Sequence, residues 1–138
     1  MKHLLAPVTA LFILFFAGCT STSTSQSSTS DQQKPAVKNI QQDEFLKLSK
    51  DPNTVVIDVR TPGEVAEGYI AGAKYFIDFN AGNFQNEIQK LDKSKAYIVY
   101  CRSGGRSSKA ASIMIDNGFQ QVYNLTGGVM NWTGGLVK

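Results

Sequence analysis

One stretch of the chain combines a nucleophile with groups that hold anions: Cys101-Arg102-Ser103-Gly104-Gly105-Arg106-Ser107. Cysteine attacks as the thiolate, so its surroundings decide whether it reacts. Two adjacent glycines let the residues after it curl without a Cβ penalty and turn their N–H groups inward. A helical pattern follows at once, and a helix N-terminus carries about half a positive charge. Arg102 and Arg106 add two full charges. All of this favours an anion at the sulfur and should bring the thiol below the ~8.5 of a free cysteine. The stretch reads as a cradle for an anionic group at, or attached to, Cys101, walled by Arg102, Ser103, Gly104, Gly105 and Arg106. An inert cysteine in an apolar site would gain nothing from flanking arginines. A nucleotide-phosphate loop would carry Gly-Lys-Ser/Thr at the helix start, which is missing here, and would not need the thiol.

The elements that must position this cradle alternate. Residues 54–59 and Ala96–Tyr100 are short runs of β-branched and aromatic residues, predicted as buried strands, with smaller runs at 73–77 and 121–123. Between them lie helical stretches. Residues 43–49 place Phe45, Leu46 and Leu48 toward a core. Phe84, Ile88 and Leu91 recur at i, i+4, i+7. Residues 107–117 carry Ala110, Ala111, Ile113, Met114 and Ile115, and Gly118 stands where a helix C′ residue belongs. Alternating strands and helices predict an α/β fold, a central, mostly parallel sheet with helices on both faces. Such sheets bind ligands beyond the carboxyl ends of their strands, which is where Cys101 follows Tyr100. Asp58 and Arg60 fall at a second strand end on that side. Structural roles suit them best, Asp58 bonding local backbone and Arg60 pairing with Glu64. Gly127 and Gly128 are expected to permit a tight turn, and Trp132 to join the core. Tyr75 and Phe76 read equally well as core or rim.

Composition narrows the chemistry. The chain has 138 residues, and roughly 100 remain for a core once a targeting segment at 1–18 and an apolar-poor stretch at 20–36 are set aside, enough for one domain. Net charge is +3, and without Lys2 it is 13 basic against 11 acidic side chains, too balanced for a nucleic-acid binder. The sole histidine is His3, inside the targeting segment. The mature chain then has no histidine for a Ser-His-Asp or Cys-His pair, nor for a His-ligated metal, so neither metal nor cofactor is expected.

The amino-terminal segment gives an address. Met1-Lys2-His3 is a short basic start, and residues 4–16 are apolar apart from Thr9. That run is shorter than the ~20 residues of a spanning helix and reads as a secretory signal. Phe16-Ala17-Gly18-Cys19 resembles a bacterial lipoprotein box, with Phe16 where leucine is usual. The resemblance implies cleavage after Gly18 and lipid on Cys19. Acyl chains contribute ~0.8 kcal/mol per buried methylene, so two or three of them anchor stably. Thr20, rather than aspartate, follows the cysteine. In an enterobacterial-type sorting system this implies the periplasmic face of the outer membrane. Residues 20–33 carry no apolar side chain and read as a flexible Ser/Thr-rich linker. The expected division is a signal peptide at 1–18, lipidated Cys19 and linker at 19–36, and a folded domain at 37–138. Cys101 is then the only free thiol, so no internal disulfide forms. The expected membrane contact is the lipid anchor alone, and the expected state is a monomer.

Four segments in order resemble a single-domain rhodanese, a sulfurtransferase: Asp58-Val59-Arg60-Thr61-Pro62-Gly63-Glu64; Gly68-Tyr69-Ile70-Ala71-Gly72-Ala73; Cys101–Arg106 as the active loop; and Leu125-Thr126-Gly127-Gly128-Val129-Met130-Asn131-Trp132. Together they cover about residues 37–132. Tyr69 departs from a position where the family often has histidine. The resemblance implies that the Cys101 thiolate takes the outer sulfur of a small donor such as thiosulfate, releases sulfite, and carries a persulfide that a thiol (or cyanide in an assay) then removes. Backbone N–H groups of residues 102–106 would stabilise that anion. Arg102 would meet the donor; Arg106 would do the same or brace the loop.

Two other classes are compatible with the same stretch. Cell-cycle dual-specificity phosphatases look like this fold but place five residues between cysteine and arginine. Here there are four, a tighter ring that suits one sulfur atom better than the tetrahedral oxyanion of a phosphatase or arsenate reductase. A non-catalytic sulfur-carrier module is the remaining alternative.

Overall fold

The computed structural model describes residues 35–138. The segment 1–18, Cys19 and the linker up to residue 34 lie outside the described residues. Among those described, five strands form one parallel sheet: β1 (Lys38–Ile40), β2 (Thr54–Asp58), β3 (Ala73–Phe76), β4 (Ala96–Tyr100) and β5 (Gln121–Leu125), in the order β1-β5-β4-β2-β3. The helices are α1 (Gln42–Leu48), α2 (Pro62–Ala66), α3 (Phe84–Ile88) and α4 (Gly105–Asp116), with a 3-10 turn at Gly128–Asn131. No helix among the described residues is long and apolar enough to cross a membrane.

The central strands are the most hydrophobic because both of their faces are covered. In β2 and β4 the side chains alternate between two cores. Val55, Ile57, Tyr97, Val99 and then Cys101 face α3 and α4, meeting Phe84, Ile88, Ala110, Ala111 and Met114. Val56, Ile98 and Tyr100 face the other way, toward Phe45 of α1, Ile70 and Trp132. This is the period of two expected of a strand, applied to a sheet with helices on both sides. The ring of Trp132 meets Phe45 edge-on at 4.9 Å, which places it against the second core.

Some elements depart from the sequence expectation. Leu46 was expected to face the core but is 43% exposed, since a seven-residue helix has room for one buried position here, Phe45. The strand β1 and helix α2 were not anticipated. β1 is three residues long with only Ile40 buried, so it has no readable alternation. α2 buries no residue and hence carries no apolar stripe. It is set by its start alone: the Thr61 side chain accepts the Glu64 N–H, the Glu64 carboxylate accepts the Thr61 N–H, and Pro62 occupies the first turn.

From β2 the chain moves outward to β3, whereas from β4 it moves the opposite way to β5. The carboxyl ends of β2 and β4 therefore flank the point where the winding direction switches, with Asp58 beside Tyr100 in register.

Candidate active site

Cys101 leaves the end of β4 with its side chain buried under the start of α4. Its sulfur accepts the Gly104 N–H at 3.1 Å and lies 3.4 Å from the Ser107 hydroxyl. Gly104 holds φ at +98°, the left-handed region that glycine enters without strain, and this turns its N–H back onto the sulfur. Its neighbour Gly105 is already helical. The curl expected of two glycines is therefore the work of one.

A second glycine presses the loop from below. A Cβ on Gly128 would overlap the Cys101 carbonyl oxygen. Without one, Val129 N–H reaches the Cys101 carbonyl at 2.9 Å and Met130 N–H reaches that of Arg102 at 3.0 Å. The 3-10 turn thereby takes up the carbonyls of the loop and leaves the loop's N–H groups for the sulfur side.

Ser107 continues inward. Its hydroxyl has one proton and three acceptors in reach: Asn124 Oδ1 at 2.6 Å, the Gly104 carbonyl at 3.1 Å and the Cys101 sulfur. Asn124 in turn donates through Nδ2 to Asn39 Oδ1 at 2.9 Å, which fixes the oxygen end of its amide toward Ser107. Burial pushes the Cys101 thiol up. The Ser107 hydroxyl and the N–H groups of Ser107, Gly104 and Ser103 more than offset this, and the thiol lies below its ordinary value. The direction agrees with the expectation from sequence, but neither arginine is among the causes: Arg106 is paired with Glu64 and Arg102 is exposed.

Arg106 makes a bidentate pair with Glu64, Nη1 to Oε2 at 2.7 Å and Nη2 to Oε1 at 2.6 Å, and so braces the loop against α2. The Arg106 guanidinium holds the Glu64 carboxyl at about 2, against burial, with Thr61 adding its hydrogen bonds. Arg60 had been expected to pair with Glu64. Instead it clamps Asp58, with Nη2 to Oδ2 at 2.6 Å and Nε to both oxygens at 3.0 Å, and it reaches only the backbone carbonyl of Glu64. Asp58 also accepts the Arg60 N–H at 2.9 Å, the local backbone bond expected of it. Asp58 is fully buried and Arg60 nearly so, and the Tyr100 hydroxyl beside them accepts the Ile70 N–H. Arg102 and Ser103 point outward, and Arg102 has no side-chain partner among the described residues. It lines a cavity of about 470 Å³ with Arg60, Glu64, Glu67, Val129, Met130 and Leu136.

The structure thus gathers Cys101, Gly104 and Arg106 around one loop, with Arg102, Ser103 and Gly105 on its outer face. The sequence reading gave no role to Ser107, Asn124 or Asn39. Ser107 had a signal: it lies at i with Ala110, Ala111 and Met114 at i+3, i+4 and i+7, on the buried face of α4. Asn124 and Asn39 had none, because their meeting depends on β1 pairing with β5. Among the described residues no group of three or more His, Cys, Asp or Glu side chains could hold a metal ion.

Residues 41–134 match the family of the Rhodanese-like domain. YtwF of Bacillus subtilis is 39% identical over 88 residues, covering 64% of this chain and 82% of that protein. GlpE of Pseudomonas putida, named a thiosulfate sulfurtransferase, is 33% identical over 95 residues, covering 69% and 84%. Among solved structures, a rhodanese-like domain protein from Staphylococcus aureus superposes with a TM-score of 0.63 at 32% identity, covering 72% of this chain and 96% of that one.

Proposed function

The chain belongs to the rhodanese-like domain family, and from that premise we propose that it is a sulfurtransferase carrying sulfur as a persulfide on Cys101. One observation carries the reading: the sulfur at the end of β4 receives a backbone N–H and a hydroxyl, with Gly104 and Ser107 aimed at the place where negative charge is needed. The thiolate attacks the outer sulfur of thiosulfate or a similar sulfane donor. The Sγ–S bond forms as the donor's S–S bond breaks, and sulfite departs with the bonding pair. A thiol acceptor then removes the outer sulfur and returns the thiolate. The Ser107 hydroxyl and the loop N–H groups favour the thiolate over the thiol, so no separate base is assigned.

Cys101 has no exposed surface, and reaction requires the two sulfur atoms to approach within about 3–3.5 Å. The loop must therefore open enough to admit one sulfur atom. The exposed side, Arg102 and Ser103, is where it can give. The four residues between Cys101 and Arg106 leave a ring suited to a single sulfur, which weighs against the phosphatase reading. As part of the same proposal, lipid on Cys19 and the 20–33 linker hold the domain at the surface of a membrane, facing the periplasm where the envelope has one.

Mass spectrometry of the full chain in detergent after thiosulfate treatment tests this. The expected result is one added sulfur atom on Cys101, lost again on adding a thiol, and no addition in Cys101→Ser. Transfer activity surviving in Cys101→Ser would refute the assignment. Turnover of a phosphate ester with no sulfur added would replace it, and a persulfide that no acceptor discharges would make the protein a carrier.

A further inference from the structure

We propose that Asn124 and Asn39 are positioning residues for the transfer described above: their two amides turn together as Cys101 gains charge, and this decides whether the Ser107 proton points at the sulfur. The inference rests on that reading only in needing Cys101 to ionise.

The Ser107 hydroxyl has one proton to give. Its oxygen stands 2.6 Å from Asn124 Oδ1, at the short end for two oxygens sharing a proton, and 3.4 Å from the sulfur. The proton therefore lies toward Asn124, and Asn124 Nδ2 donates onward to Asn39 Oδ1 at 2.9 Å. The chain of donors runs away from Cys101, which suits a neutral thiol. A thiolate calls for the same proton. Taking it leaves Asn124 Oδ1 against the Ser107 lone pairs, an acceptor without a donor. Asn124 is 5% exposed, so solvent does little to make up the loss.

A carboxamide resolves the conflict by turning. Its two ends have the same reach, one accepting and the other donating, and the torsion that exchanges them is broad and roughly two-fold. With Asn124 turned, Nδ2 donates to Ser107 Oγ and Oδ1 faces Asn39. Asn39 must then offer its own Nδ2. It is exposed on the edge strand β1, where solvent accommodates either end. The reversed chain runs from Asn39 to Asn124 to Ser107 to the sulfur with every link kept, and donors in series strengthen one another. The thiol proton leaves to solvent, while the Ser107 proton stays on its oxygen and only swings.

The sheet makes the relay possible, because Asn39 and Asn124 are register partners across β1 and β5. Charged groups on the neighbouring elements have partners of their own. Arg106 of α4 is paired with Glu64 and Arg60 with Asp58, and the Lys38 ammonium of β1 lies 6.0 Å from the centre of the Tyr123 ring.

The test is the pH dependence of Cys101 alkylation in the full chain in detergent, read by mass spectrometry. It is run in about 1 M salt, where the screening length falls to about 3 Å. Asn39→Asp puts an acceptor without protons at the outer end of the relay. It should hold the Asn124 oxygen on Ser107, move the midpoint upward and slow alkylation at pH 7 roughly threefold to tenfold. Asn39→Gln, which can present either end of an amide, should restore most of the rate. In Ser107→Ala the relay is cut, so adding Asn39→Asp should change nothing further. A wild-type midpoint in Asn39→Asp overturns the inference. So does an equal shift in Asn39→Gln, which would mean lost packing, or in the Ser107→Ala background, which would mean charge acting through space. The transfer reading survives each of these results. It falls instead if thiosulfate adds no sulfur to Cys101, an outcome that leaves the relay to the alkylation data.

Discussion

The ends of β2 and β4 lie side by side at the switch of the sheet, and they handle charge in opposite ways. Beyond β2, full charges meet full charges: Asp58 and Arg60 are buried together, and two carbonyls take up two more guanidinium protons. Beyond β4, a group that must become negative is met by neutral donors, the Gly104 N–H and the Ser107 hydroxyl. A buried ion pair is expensive to form and still more expensive to break, so it suits a part that never changes. A reactive sulfur changes charge and gains and loses an atom during turnover. Dipoles fixed by the backbone can follow this, whereas a guanidinium locked against the thiolate would have to be released at each step. Arg106, at the far end of the loop, is bound to Glu64 instead, and Arg102, next to the thiol in sequence, is exposed.

The sharpest way to break this comparison is Asp58→Ala. It strands the Arg60 guanidinium with 4% exposure, and the expected loss is about 3–5 kcal/mol of stability in urea unfolding. A loss within about 0.5 kcal/mol, typical of a surface change, would mean the clamp is not a framework. Ser107→Ala probes the other end. Without its hydroxyl the anion loses a donor, the thiol rises, and less thiolate is present at neutral pH. With about 1.5–3 kcal/mol for a hydrogen bond to a charged group, alkylation of Cys101 at pH 7 should slow roughly tenfold or more, with its pH midpoint displaced upward. An unmoved midpoint would show that the hydroxyl serves Asn124 alone.

Glu64 gives a smaller effect with a defined pH window. Its carboxyl falls from 4.5 to about 2 on folding. A depressed carboxylate stabilises above its unfolded value and loses that contribution as pH falls through the folded one. The wild type should therefore lose stability between about pH 4.5 and 2, and Glu64→Gln should flatten that limb while costing roughly 1 kcal/mol or less at pH 7, as a partly exposed pair does. An unchanged acid limb would place the titrating group elsewhere. The smallest change is expected at Gly105, where an added Cβ meets nothing within 4 Å. Gly105→Ala should stabilise by roughly 0.4–1 kcal/mol in the same unfolding assay. Destabilisation there would mean that the loop needs both glycines after all.

The fold was legible where burial is two-sided. β2 and β4 announce themselves as unbroken runs of Val, Ile and Tyr, and the alternation of strands and helices already implied a parallel sheet with ligands at its carboxyl ends. Elements that bury little were not legible: β1 has one buried residue and α2 has none, so neither writes a period into the sequence. Cys101 and its loop stood out because a thiol, two arginines and two glycines are chemically conspicuous at short range. Their assignments were less secure, since which carboxylate each arginine takes is a matter of distance in space. The sequence by itself determined the layered α/β architecture, the place of the thiol at a strand end and a glycine pair after it where the chain can turn, because all three follow from local pattern and local backbone freedom; that Gly104 alone makes the turn was left to the structure. Only the tertiary structure decided that Arg60 takes Asp58, that Arg106 takes Glu64 from 42 residues away, and that the sulfur is left to Ser107 and main-chain N–H groups. Ion pairs and hydrogen bonds are short-ranged and directional, and the packing of separate elements alone brings their partners within reach.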